Sequence, residues 1–179
     1  MLRQPAATFD GQLDDADLNA LLALLRRTMH AAPGVGLAAP QIGIPLRIAV
    51  LEDTFQPDEE VAATRERAPL PYFAIINPSY RARGDETAAF YEGCLSFAGY
   101  QAVVERPRSV DLDFERPDGG RARETFSGWQ ARIVQHETDH LSGTIYVDKM
   151  QPRSLSGNDE YTRYWAQPTI DRARAGLAF

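Results

Sequence analysis

His136 and His140 stand four residues apart with Glu137 directly after the first, giving the pattern His-Glu-x-x-His. On a helix, at about 100° per residue, the two imidazoles lie about 40° apart on one face and can share a metal ion. Glu137 falls about 60° beyond His140, where its carboxylate can reach a water in an open metal position without being a ligand. Trp129 and Ile133 project into the same sector one and two turns earlier, so an apolar wall should adjoin the metal and could receive a substrate side chain. The chemistry this constellation can do is metal-assisted hydrolysis with Glu137 as general base.

Two histidines are too few, because a catalytic metal usually takes three protein ligands and keeps one position open. An extended zinc-protease pattern would place a histidine six residues after His140, where Tyr146 stands, although Gly143 fits. His30 belongs to the end of another helix. Glu160 is the only glutamate after Glu137 and sits among Gly157, Asn158 and Asp159, a setting that suits a helix cap or loop. Cys94, in Tyr91-Glu92-Gly93-Cys94-Leu95-Ser96, is the remaining candidate, since its thiolate could complete a site of one sulfur and two imidazoles.

The elements that must hold these groups are visible in the spacing of apolar residues. Leu18, Leu21, Leu22, Leu25 and Met29 follow a helical period behind Asp14, Asp15 and Asp17, which predicts a helix from Asp14 to His30. Short apolar runs at Leu46–Leu51 and Tyr72–Ile76 read as buried strands. The segment between them, 52–71, reads as a long polar, solvated loop with no chemistry of its own. Val110, Leu112 and Phe114 alternate with polar residues, and Pro117-Asp118-Gly119-Gly120 supplies a turn before a second strand at 121–126. Ser127 and Gln130 have capping-box spacing, so the histidine helix should begin at Gly128 and end near Gly143. Beyond Met150 the sequence is a polar tail with a weak helix candidate at 159–167, whose aromatics should pack on the body.

With 179 residues the chain fits one domain, 1–179, and 44% hydrophobic residues suffice for a core. A net charge of −6 provides no basic field for nucleic acid or anionic lipid, so neither sequence-specific nucleic-acid binding nor membrane association is expected. The lone Cys94 cannot form an internal disulfide, and Met-Leu-Arg-Gln-Pro lacks the apolar stretch of a signal peptide. Both fit the cytoplasm. Lys149 is the single lysine, which disfavours amine-based covalent catalysis.

One more stretch bears on chemistry. Gly34-Val35-Gly36-Leu37-Ala38-Ala39-Pro40-Gln41 is glycine-rich but lacks the Gly-Lys-Ser/Thr of a nucleotide loop, and Ala39 stands where a dinucleotide fingerprint needs its third glycine. Its glycines instead permit close backbone approach to an extended ligand, and Gln41 offers an amide donor.

Gly34–Gln41, Glu92–Ser96 and Gln135–Gly143 together resemble the peptide deformylases, whose motifs read Gly-x-Gly-Leu-Ala-Ala-x-Gln, Glu-Gly-Cys-Leu-Ser and Gln-His-Glu-x-Asp-His-Leu-x-Gly. Every fixed position is matched, in order. With the elements above, the resemblance implies an α+β fold in which short, mostly antiparallel sheets surround a central metal-binding helix. It implies removal of the formyl group from N-formylmethionine on nascent chains, and one divalent metal held by Cys94, His136 and His140. Fe(II) would be the cellular ion, with Zn(II) or Ni(II) possible in purified protein. Glu137 would carry the proton, and the Gln41 side chain and the Leu95 backbone N–H would stabilise the oxyanion.

The resemblance also implies an ion pair between Glu92 and Arg106. A methionine pocket is expected between Val35, Phe90, Trp129 and Ile133, with the backbone at Gly34–Gly36 and at 97–100 pairing with the peptide. The nascent formylated polypeptide is the expected partner, near the ribosomal exit tunnel. Alternatives from the residues alone are an endopeptidase with Glu160 as third ligand, a metal-bound non-catalytic interaction protein, and a cysteine hydrolase using Cys94.

Overall fold

The apolar run Ile48–Leu51 is continuous because both of its faces are covered. In the computed structural model, which describes residues 1–179, Ile48 and Val50 face one layer and Ala49 and Leu51 face the opposite one. The first layer is helix α1 (Asp15–Ala31), whose Leu18, Leu21, Leu22, Leu25 and Met29 are all buried. Asp14 caps it by accepting a hydrogen bond from the Asp17 N–H at 2.8 Å, and Asp15 and Asp17 sit favourably in its first turn. The second layer is helix α3 (Gly128–Leu141), which carries both histidines.

The sheet between them has five antiparallel strands in the order β1 (Gly36–Ala38), β2 (Ile48–Asp53), β3 (Leu70–Ala82), β6 (Ser109–Glu115) and β7 (Arg121–Ser127). β6 and β7 are the expected hairpin, with Ser109 opposite Ser127 and Glu115 opposite Arg121. A second antiparallel sheet contains β4 (Thr87–Cys94), β5 (Phe97–Pro107) and the short β8 (Ser156–Gly157), in that order. Helix α3 contacts strands of both sheets, which explains why nearly all of it from Ala131 to Leu141 is buried. The α+β arrangement around a central histidine helix is the expected one.

Two local expectations need correction. Segment 52–71 is not a plain solvated loop: Asp53 is fully buried and held by Arg67 at 2.8 and 2.9 Å, and Glu59–Arg65 form helix α2, capped by Asp58. Ser127 does not close a capping box, because its hydroxyl pairs with that of Ser109 at 2.8 Å and Gln130 donates to the Pro69 carbonyl. The helix candidate at 159–167 is met by helical turns, α4 (Asn158–Glu160) running into a wide π-type turn at Tyr161–Trp165, and a further helix, α5 (Asp171–Leu177), follows. Ile170 and Ala173 pack with Tyr91 and Val103, fastening the tail to the second sheet.

No helix is long and apolar enough to cross a membrane.

Candidate metal centre and substrate cleft

The three sequence segments meet at the face of α3. Cys94 Sγ lies 3.3 Å from His140 Nε2, and one ligand atom from each of Cys94, His136 and His140 lies within 4.8 Å of the others. Neither His30 nor Glu160 joins them: His30 is exposed and pairs with Glu52 at 2.7 Å, and Glu160 stands in α4. Tyr146, at the position where an extended zinc-protease motif has its third histidine, stacks on the His136 ring at 6.2 Å and donates to the Tyr100 carbonyl at 3.0 Å.

His136 is oriented from behind. Its Nδ1 is 3.0 Å from Glu92 Oε2, which leaves Nε2 for the centre, the arrangement in which a carboxylate fixes a ligand imidazole. Glu92 is itself buried and receives Arg106 at 2.6 and 2.9 Å and also Arg132. Burial alone would raise its carboxyl, but Arg106, His136 and Arg132 hold it well below the usual carboxylate range. Arg106 reaches on to Asp139 at 2.8 Å, and Asp139 accepts Lys149 at 2.7 Å and the Tyr80 hydroxyl at 2.9 Å. The expected Glu92–Arg106 pair is therefore one link in a buried chain of alternating charges that ends on a histidine of the centre.

Glu137 is buried beside this cluster, and its Oε2 has no hydrogen-bond partner in the protein. Burial lifts its pKa to about 7. The carboxylate passes against the backbone of Gly36: a β-carbon there would stand 2.4 Å from Glu137 Oε1. The glycine thus makes room for the carboxylate as well as for an incoming chain.

Gln41 is held in one orientation because its Oε1 accepts the Ala38 N–H at 2.8 Å. Its NH2 group then points at the centre, 3.8 Å from Cys94 Sγ and 3.1 Å from Ser96 Oγ. Leu95 follows Cys94 in the tight turn between β4 and β5, and its backbone N–H donates to no protein acceptor.

The donor set fits a metal. One thiol and two imidazoles converge with a side left open, and the buried Glu92 carboxylate stands behind His136. Against burial, hydrogen bonds to Cys94 and Glu92 lift the His136 pKa to about 10, while burial and His136 itself lower that of His140 to about 3.

The centre opens into a cleft of about 810 Å³. Val35, Gly36, Trp129 and Ile133 line it, and so do Gln41, Cys94, Leu95, His136 and Glu137. Phe90 does not. It packs edge-on behind Trp129 at 6.1 Å and faces a smaller cavity with Arg65, Arg108 and Arg132. Arg65 of α2 stands 5.7 Å from the Phe90 ring on this side, a neighbour that the reading of 52–71 as a loop could not supply.

The main-chain cradle also differs in part from expectation. β1 is the edge strand of its sheet, so the stretch from Gly34 to Gly36 is available to a peptide. On β5, however, Tyr100 and Gln101 are paired with Gly157 and Ser156 of β8, which leaves only the bulged stretch at 97–99. Among the cleft residues that the sequence did not indicate are Arg65, Arg132, Asn158 and Tyr161. Arg132 precedes His136 by one helical turn, a spacing that could have flagged it. The others lie in segments without periodicity.

Comparison with known proteins agrees with this geometry. The polypeptide deformylase family model matches residues 1–156. Peptide deformylase 3 of Streptomyces avermitilis is 54% identical over 179 residues, covering 100% of this chain and 80% of that protein. Peptide deformylase 1 of Streptomyces coelicolor is 50% identical over 179 residues, covering 100% and 82%. Among solved structures, the Synechococcus elongatus peptide deformylase in complex with actinonin superposes with a TM-score of 0.72 at 35% identity, covering 85% of this chain and 76% of that one. The Met-Ala-Ser-bound class I type b enzyme of Acinetobacter baumannii gives 0.75 at 30% identity, covering 83% and 91%. The chain belongs to the peptide deformylase family, the metal-dependent hydrolases that remove the N-formyl group from the N-terminal formylmethionine of nascent polypeptides and release formate.

Proposed function

We propose that residues 1–179 form one catalytic domain in which Cys94, His136 and His140 hold a single divalent ion, Fe(II) in the cell and Zn(II) or Ni(II) in purified samples. The observation that carries this reading is the convergence of those three donors beside a buried, unpartnered Glu137 oxygen. When bound, the ion supplies a Lewis acid that polarises the formyl carbonyl and eases ionisation of water.

Glu137 takes the proton as water oxygen bonds to the formyl carbon, and returns it to the nitrogen as the C–N bond breaks. Formate and a free methionine amine leave. Burial disfavours the charged form of this carboxyl, which suits a group that must take a proton and give it back. The Gln41 NH2 group and the Leu95 N–H donate to the oxygen that gains negative charge, each such donor typically worth about 3 kcal/mol in the transition state. Val35, Trp129 and Ile133 receive the methionine side chain, and Gly36 and its neighbours pair with the peptide backbone.

The partner is the nascent chain, met in the cytoplasm near the ribosomal exit tunnel. The test is metal analysis combined with formate release from formyl-Met-Ala-Ser. One ion per chain and activity abolished by a chelator support the reading. Full activity in metal-free protein would overturn it in favour of a cysteine hydrolase, and cleavage of unformylated internal peptide bonds would favour an endopeptidase.

A further inference from the structure

The cleft carries a cation whose charge no acid in the protein balances. Arg65 lines the cleft from α2, and no carboxylate lies within ion-pair distance of it. Its neighbours do have partners: Arg67 is paired with Asp53, Arg132 with Glu92, and Glu66 with Arg108. The Arg65 guanidinium is nonetheless held in place. Nε donates to the Pro168 carbonyl at 3.3 Å and Nη2 to the Gln167 carbonyl at 2.9 Å. Its Cζ stands 5.2 Å from the centre of the Trp129 ring and 5.7 Å from that of Phe90, within cation–π range. Nη1 has no protein partner. A guanidinium that is oriented by carbonyls and aromatic faces, with one amino group left free, is prepared to accept a carboxylate without losing much further side-chain freedom.

From this arrangement we propose that Arg65 is a specificity-determining residue that favours formylated chains carrying an aspartate or glutamate within the first few residues after the formylmethionine. The inference rests on the assignment of the cleft around Trp129 as the peptide-binding site. Trp129 connects the two parts, since its ring lines the cleft and supports Arg65. Asn158 and Tyr161, which also line the cleft, are uncharged and offer no competing carboxylate to Arg65. An acidic residue would gain a charge-assisted hydrogen bond at a half-buried position, and a lysine there would face like charge.

The experiment compares C-terminally amidated formyl-Met-Asp-Ser and formyl-Met-Ala-Asp with their lysine counterparts on metal-loaded enzyme. The amide removes the terminal carboxylate, which a nascent chain lacks, and a parallel free-acid series reads that source separately. In the wild type, kcat/KM for at least one acidic peptide should exceed that of its lysine counterpart by about three- to tenfold, mainly through KM, and the ratio should shrink at high salt. Arg65→Gln should bring it to about one, and Arg65→Lys should keep part of it.

The readout is a ratio between two peptides on the same enzyme, which a partial loss of active protein does not change. Should Arg65→Gln fail to fold, Arg65→Lys together with the salt series on the wild type decides. Equal rates for acidic and lysine peptides in the wild type, or a ratio that survives Arg65→Gln, would overturn the proposal. A preference confined to free-acid peptides would do so as well. Formate release from the neutral formyl-Met-Ala-Ser amide by the wild type keeps the deformylase reading separate from this outcome.

Discussion

Gly36 and Glu137, from an edge strand and from the central helix, touch so closely that no side chain fits between them: a β-carbon on Gly36 would lie 2.4 and 2.5 Å from Glu137 Oε1 and Cδ. Gly36 is not at a positive φ, so alanine meets no backbone objection there. We expect Gly36→Ala to fold and bind metal while losing about a hundredfold in kcat, because the carboxylate must move. Formate release and metal content on the same sample check this, and near-normal kcat would separate the glycine from the base.

Glu137→Gln should retain the metal and lose about 10²–10⁴-fold in kcat, since the amide keeps the shape but accepts no proton. Near-normal formate release by a metal-loaded variant would move the base elsewhere.

Cys94→Ala or His136→Ala should each lose stoichiometric metal and with it activity, because two remaining ligands form a weak site. Elemental analysis after dialysis is the measurement. Retention of one ion per chain by both variants would refute the ligand set.

Glu92→Gln should be costly for folding, by about 3–5 kcal/mol, because it leaves the buried Arg106 and Arg132 without their shared carboxylate. Urea unfolding of metal-free protein isolates this effect from metal binding. A loss below about 1 kcal/mol would mean that Asp139 and backbone carbonyls suffice for the two guanidiniums.

How far the sequence could be read depended on whether a residue's partner was nearby in the chain. Helix α1 was legible because one face is buried and Asp14 announces its start, and β6–β7 because alternation and turn residues coincide. Helix α2 was not, since none of its residues is fully buried and no apolar stripe marks it. The metal-ligand candidates were legible as residue types at a helical spacing plus one cysteine. The reason for Gly36, the turning of Phe90 away from the cleft, and the place of Arg65 all depend on contacts between distant segments, which no local pattern encodes.

The treatment of strand edges has a consequence for solubility. Exposed edges invite other chains to add as further strands. Here β7 carries Arg121, Arg123 and Glu124, and β8, only two residues long, covers β5 at Tyr100 and Gln101. β1 stays open, yet at three residues it is too short to template an aggregate, and its Gly36 lines the cleft. So short a free edge can offer main-chain hydrogen bonds to an extended chain over a few residues only, too few to seed pairing with another copy of the protein.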